Sequence, residues 1–267
     1  MALRITKISF PGLGIGEFSV NSEAIRIGDF SIAWYGIILT LGIIAAIAYL
    51  FWRKEYCALT TDDIIDYALI VVPSGIIGGR LYYVLTSLEK YDSFYEVIAI
   101  WEGGLAIYGA IIGGAIAVLC VTLYKKKNFL AIADCVCPGI LIGQIVGRWG
   151  NFFNGEAYGY DTDLPWRMGL NGRFVHPTFL YESLWNLFGL ILINLFFKHK
   201  KYDGQVFYMC FAWYGFGRML IEGLRTDSLY IFGSIRISQL VGAICFIVFG
   251  GLLIYNLIKE KRNRKNG

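Results

Sequence analysis

The chain has 267 residues, of which 57% are hydrophobic and only 16% charged. A soluble domain carries roughly a quarter charged residues, so soluble packing would leave too few polar groups for the outside. The class that remains is an all-α polytopic membrane protein. A net charge of +4 is too mild to argue for a nucleic-acid partner.

Residues 1–29 are mixed polar and glycine-rich, without the basic start and apolar core of a cleavable signal peptide. Seven apolar segments follow, near 30–52, 64–85, 97–124, 129–147, 178–197, 205–222 and 236–258. Each is roughly 18 residues or more, enough to cross a hydrocarbon core as helix. The third is over-long and is expected to begin with a re-entrant or interfacial stretch at Trp101-Glu102-Gly103-Gly104. Basic clusters follow segments one (Arg53, Lys54), three (Lys125, Lys126, Lys127), five (Lys198, Lys200, Lys201) and seven (Lys259, Lys261, Arg262, Arg264, Lys265). If all seven segments span, the clusters share one side, which the positive-inside rule makes cytoplasmic. The N-terminus and residues 1–29 then lie outside, and 259–267 form a basic cytoplasmic tail. The insert 148–177 forms a small external head between the fourth and fifth spans. The chain reads as a single integral membrane domain without internal repeats. Five of its six cysteines (Cys120, Cys135, Cys137, Cys210, Cys245) lie in apolar runs and read as small apolar residues. No group of residues has metal-ligand spacing.

Charged side chains inside spanning segments are costly and usually functional or paired. A rise of about 1.5 Å per residue places Arg80 roughly 24 Å, Arg148 about 28 Å and Arg218 near 20 Å from the cytoplasmic ends of their helices. Tyr35 and Tyr108, on descending helices, fall at similar depth. Arginines at the outer headgroup level, with tyrosine and asparagine around them, suit a phosphate, whose oxygens match the guanidinium fork. The alternative is that each snorkels to the interface or pairs with a carboxylate. In the sixth segment Tyr214, Arg218, Glu222 and Arg225 share one helical face, as half of a binding site or as a structural ion ladder. In Gly147–Gly159, GRWGNFFNGEAYG, Arg148 and Asn151 share a face, which an elaborate helix C-terminus would also produce. His176, at the outer start of segment five with Tyr181 and Glu182, is the only outer histidine and would cap or orient the external loop.

GRWGNFFNGEAYG also resembles the signature of the bacterial prolipoprotein diacylglyceryl transferase family, G-R-x-G-N-F-x-N-x-E-x-x-G. Other stretches agree in order along nearly the whole chain: AWYG, GGRLYYV, WEGGLAIYGAIIGG, GQIVGRWGN, VHPTFLYE and YGFGRMLIEGLRTD. The resemblance implies seven spans with the N-terminus outside. It also implies transfer of the diacylglyceryl group of phosphatidylglycerol to the lipobox cysteine of preprolipoproteins, forming a thioether and releasing glycerol-1-phosphate. It implies no metal or organic cofactor, a location in the bacterial cytoplasmic membrane with the site toward the outer leaflet, and a monomer. Carried over by motif position, Arg148, Arg218, Tyr108 and Tyr35 are catalytic. Arg80, Asn151, Asn154, Glu156, Gly159, Tyr214, Glu222 and Arg225 bind substrate, with Gly103, Gly104 and His176 completing the site. Many family members have histidine, assigned as the base, where this chain has Tyr108. A free tyrosine, with a pKa near 10, is a poor base at neutral pH, and Glu102 and His176 are the other candidates. The rival reading is a transporter for a phosphate-bearing lipid or anion.

Overall fold

The structure, a computed structural model, describes residues 5–28, 30–231 and 233–266. It comprises two compact units, one of Leu50–Ile132 and one of Ala2–Tyr49 with Ala133–Gly267.

The first unit is built on two helices, α2 (Thr61–Leu85) and α4 (Ile107–Tyr124), and its helix α3 (Phe94–Ile98) lies in the connection between them; the numbering counts α1, of the second unit, first in the chain. Thr60 and Asp63 form a capping box at the start of α2. Lys125, just past α4, closes the same end of the pair, 2.9 Å from Asp63 and 2.7 Å from Asp66, and Lys127 lies 2.9 Å from Asp63. Further along, the helices meet through glycine. A methyl group at Gly78 would sit 2.5 Å from the Gly109 carbonyl, and one at Gly109 or Gly113 would collide with the carbonyl of Gly78 or Ser74. Gly75/Gly79 and Gly109/Gly113 each have the small-xxx-small spacing that lets membrane helices approach backbone to backbone. The third apolar segment is not one helix: α3 and a 3-10 turn at Ile100–Glu102 precede α4.

In the second unit, α1 (Trp34–Arg53), α5 (Phe129–Asn154), α6 (Thr178–Phe197), α7 (Gln205–Ile221) and α8 (Ile237–Asn266) carry a small β head; α1 and α5 each run a few residues into the first unit. The strands are β1 (Ile5–Phe10), β2 (Ile15–Asn21), β3 (Glu23–Ile27), β4 (Phe30–Ala33), β5 (Met168–Leu170), β6 (Arg173–Val175), β7 (Tyr230–Ile231) and β8 (Ile235–Arg236). An antiparallel sheet has the order β2-β1-β5-β6, with Ile8 opposite Leu170. The insert 148–177 thus shares a sheet with the N-terminal segment, which supplies two of the four strands. Ile8, Val20, Met168, Leu170, Val175 and Phe179 form the core of the β head, packed against Phe152 and Phe153 at the end of α5. Hairpin β3-β4 leads straight into α1, so the first apolar segment begins as strand.

Among the described residues, six helical segments are long and apolar enough to cross a membrane: Trp34–Cys57, Thr61–Leu85, Ile107–Tyr124, Phe129–Asn154, Thr178–Phe197 and Ile237–Arg264. Helix α7, with 17 residues, is the remaining expected span. Large apolar side chains point outward from these helices; Leu69 on α2 and Leu195 on α6 are both 68% exposed. That is the distribution expected where lipid is the solvent. Cys120, Cys137, Cys210 and Cys245 are free, whereas Cys135 is disulfide-bonded and so departs from the small-apolar reading.

Helices α6 and α7 are locked by a reciprocal tryptophan pair. Trp185 and Trp213 stack at 4.4 Å, and the Nε1–H of each donates to the other's carbonyl, at 3.1 and 3.0 Å. Gly217 faces the Trp185 indole and Gly189 the Trp213 indole, closer than a methyl group could fit. Gly189→Ala or Gly217→Ala will push an indole out of this stack. The expected result is a loss of about 1–3 kcal/mol, read as a lower melting temperature in detergent with altered tryptophan fluorescence. Gly250→Ala, with open space around it, will leave both unchanged.

Candidate active site

The signature stretch is mostly helix. Helix α5 continues through Asn154, so Arg148, Asn151 and Asn154 leave from its last two turns. Gly155 then turns the chain at φ +61°, where a side chain would strike Thr6. The Asn151 and Asn154 side-chain amides both donate to Glu156 Oε1, at 3.0 and 3.1 Å, and Arg148 Nη1 donates to Asn151 Oδ1 at 3.2 Å. Gly159 is fixed by crowding: a Cβ would lie 2.7 Å from both the His176 Cβ and the Leu224 carbonyl. Its N–H donates to the His176 carbonyl at 2.9 Å, and it bridges to Arg225 in antiparallel fashion. The signature glycine thus joins the insert to the segment after α7.

Three arginines meet on one carboxylate, that of Glu182, which is 3% exposed in the second turn of α6. Arg148 Nη2 from α5 lies 2.7 Å from its Oε2, while Arg218 Nη1 from α7 and Arg225 Nη1 lie 2.9 and 3.0 Å from its Oε1. Glu222 adds a contact of 2.7 Å to Arg218 Nη2, close but poorly aligned for a hydrogen bond. Asp227 takes Arg225 in a two-pronged pair at 2.9 and 2.8 Å. Burial alone would raise the Asp227 pKa, but the hydrogen bond and charge of Arg225 carry it below the ordinary carboxylate value. Three guanidiniums against Glu182, Glu222 and Asp227 make an electrically balanced cluster, which is how they are tolerated in a buried place. Arg225 spends three N–H groups on carboxylates. Arg148 and Arg218 spend Nη1 and Nη2 on these partners, while the Nε–H of each makes no hydrogen bond among the described residues, so these two can take a further anion.

The face expected from Tyr214 through Arg225 is realised with a change of backbone. Helix α7 ends at Ile221, Glu222–Leu224 tighten into a 3-10 turn, and Arg225 is extended at φ −82°, ψ 149°. Tyr214 lines a tight crevice with Glu182, Trp185, Asn186 and Arg218. Tyr35, 39% exposed, lays its ring against Gly150, where a methyl group would come within 2.7 Å. His176 Nδ1 is 3.3 Å from the Tyr181 hydroxyl, which accepts from Trp166 Nε1 at 2.8 Å. Burial lowers the His176 pKa, so its imidazole is neutral at neutral pH.

The remaining expected residues, Arg80, Gly103, Gly104 and Tyr108, belong to the first unit. Arg80 donates to backbone carbonyls: Nε to Val97 at 2.8 Å, Nη1 to Gly103 and Gly104 at 2.6 and 2.9 Å, and Nη2 to Glu96. Gly103 and Gly104 have φ of +94° and +80°, and a Cβ at Gly104 would sit 2.5 Å from Arg80 Nη1. Arg80 is therefore a clamp that shapes the turn leading into α4, with one N–H to spare. Tyr108, in the first turn of α4, is 38% exposed beside Tyr82. The Glu102 side chain lies outside the described residues. Among the described residues no group of three His, Cys, Asp or Glu could hold a metal ion.

Glu182 and Asp227 were not among the residues expected to bind substrate. Glu182 had one signal, a carboxylate inside an otherwise apolar helix. Removing its charge leaves three guanidiniums around a neutral amide. Glu182→Gln is expected to cost about 3–5 kcal/mol, measured as thermal unfolding in detergent, and to cost more than Asp227→Asn, whose carboxylate is half-exposed.

A family model described as prolipoprotein diacylglyceryl transferase matches residues 22–255. The phosphatidylglycerol-prolipoprotein diacylglyceryl transferase of Lactobacillus delbrueckii subsp. bulgaricus is 42% identical over 261 residues, covering 91% of this chain and 93% of its own. The protein of the same name from Lysinibacillus sphaericus is 40% identical over 259 residues, covering 91% and 94%. That from Acaryochloris marina is 44% identical over 239 residues, covering 85% and 87%. By these matches along nearly its whole length, the chain belongs to the prolipoprotein diacylglyceryl transferase family.

Proposed function

We propose that this protein is a membrane transferase that moves the diacylglyceryl group of phosphatidylglycerol to the cysteine thiol of a preprolipoprotein, and that Arg148 and Arg218 hold the lipid phosphate. The observation that carries the assignment of residues is the meeting of these two arginines on Glu182 with donors left over. The names borne by relatives at about 40% identity support the same substrates. Family membership leaves the transporter reading without an observation in its favour.

The chemistry suits these groups. The thiol sulfur attacks C3 of the lipid glycerol; the S–C bond forms as the C3–O bond to phosphate breaks, and the oxygen keeps the electron pair. Glycerol-1-phosphate leaves, and the thiol proton passes to a base. Charge grows on the phosphate during this step, so fixed guanidinium donors in a poorly hydrated site stabilise the transition state more than the bound lipid. Glu182 acts on the arginines and not on the substrate, fixing two of them in place before lipid arrives. Asn151, Asn154 and Glu156 shape the wall beside Arg148, and Tyr35 and Tyr214 line the approach. Arg80 and the Gly103–Gly104 turn set the position of Tyr108. An unperturbed thiol has a pKa of about 8.5, so proton removal matters at neutral pH. Neutral His176 and the Tyr108 phenol are the described groups for that role.

In the membrane the proposal has seven spans, α7 included, with the N-terminus outside and the basic loops and tail in the cytoplasm. The site then faces the outer leaflet of the bacterial cytoplasmic membrane, where preprolipoproteins present their cysteine.

The test gives purified protein phosphatidylglycerol with a labelled glycerol headgroup and a lipobox peptide. Released glycerol phosphate with equimolar thioether-linked peptide is the expected result. Arg148→Lys and Arg218→Lys will each lower turnover by at least about a hundredfold, the scale of losing an oxyanion donor, while the proteins still insert and fold. Lipid redistribution without a covalent product, or full activity in both lysine variants, contradicts the assignment. In the same assay Tyr108→Phe reports on the phenol; an unchanged rate would remove it from proton transfer and leave His176.

A further inference from the structure

Three loop lysines in this protein are neutralised by its own carboxylates. Lys125 pairs with Asp63 and Asp66, Lys127 with Asp63, and Lys200 with Asp134 and Asp203. Lys201 and Lys261 differ: among the described residues neither has a carboxylate within ion-pair distance. Both line one concavity of about 550 Å³ with Arg264 and Glu260, over an apolar floor of Leu257 and Ile258. Arg264 is paired only at the surface, with Glu260 at 3.2 Å. The wall is held in place. The Lys201 N–H donates to Gln205 Oε1 at 2.7 Å, and the Tyr202 hydroxyl donates to the Leu253 carbonyl of α8 at 3.3 Å.

The position of this pocket defines its ligand. Gln239, near the start of α8, donates to the Met219 carbonyl beside Arg218. Lys261 lies 22 residues further along the same helix, a rise of about 33 Å. A hydrocarbon core is about 30 Å thick. With α8 spanning a bilayer, the arginine cluster and this pocket stand at its opposite faces. Three cations and one carboxylate around an apolar floor suit a phosphate carried on acyl chains, whose glycerol end rests against Leu257 and Ile258.

We propose that Lys201, Lys261 and Arg264 form a second, non-catalytic site for the headgroup of an anionic phospholipid in the leaflet opposite the active site. The inference rests on the chain spanning a bilayer and not on the transfer chemistry, so each can fail without the other. Intact-complex mass spectrometry of the purified protein titrated with phosphatidic acid tests it. Wild type should retain one more lipid than Lys201→Gln/Lys261→Gln, with roughly tenfold weaker binding of that lipid in the variant, while transfer activity at saturating phosphatidylglycerol is unchanged. Lys259→Gln/Arg262→Gln removes the same charge from the same tail outside the pocket and should retain the lipid. Equal loss in both double variants means diffuse attraction and overturns the site. Retention in both overturns it as well. Displacement of the lipid by millimolar inorganic phosphate would assign the pocket to a free anion and overturn the lipid.

Discussion

The second unit of this molecule depends on one carboxylate, that of Glu182, lying between three guanidiniums. Arg148, Arg218 and Arg225 leave from α5, α7 and the segment after it, and like charges brought so close in a medium of low dielectric would force those elements apart. Glu182 turns that repulsion into a joint between three elements. Because Glu222 and Asp227 complete the balance, the cluster is held together by the protein's own groups. In the proposed function this is preorganisation in the electrostatic sense: the arginines need not be gathered at the moment charge develops on the phosphate.

Around the joint, the fold positions backbone with glycine and orients it with buried polar caps. Gly215 on α7 faces the Gly242 carbonyl of α8, where a methyl group would come within 2.6 Å. The completely buried Asp134 of α5 accepts from the N–H groups of Gly204 and Phe207 at the start of α7, at 2.9 and 2.8 Å, so the helix bearing Arg218 is anchored at its opposite end. In the first unit Arg80 spends its donors on carbonyls, and Gly104 exists because that guanidinium occupies the place of a Cβ. Both units thus use arginine, one to hold a turn and the other to gather three elements on a carboxylate.

The sequence pattern made much of this legible, and what it missed has physical reasons. Hydropathy located the long helices because lipid demands continuous apolar stretches, and the 3.6-residue period linked Tyr214, Arg218 and Glu222. It linked Arg225 by the right side chain and the wrong backbone, since the chain leaves the helix at Glu222 and Arg225 arrives from an extended segment. Helix rise put Arg80 level with Arg148, yet depth along an axis says nothing of which way a side chain turns, and Arg80 turns to nearby carbonyls. Glu182 escaped because its partners are 34, 36 and 43 residues away, beyond any local spacing. The shared sheet escaped for the same reason: β1 pairs with β5 across most of the chain, and short strands leave little periodic signal.

The most direct measurement is a high-resolution structure of the protein in a phosphatidylglycerol nanodisc, with the lipid phosphate resolved. The account predicts phosphate oxygens within hydrogen-bond distance of both Arg148 and Arg218, with Glu182 still bridging the two arginines behind the lipid. A phosphate seated away from both guanidiniums, or Glu182 swung out with the arginines parted, would contradict it.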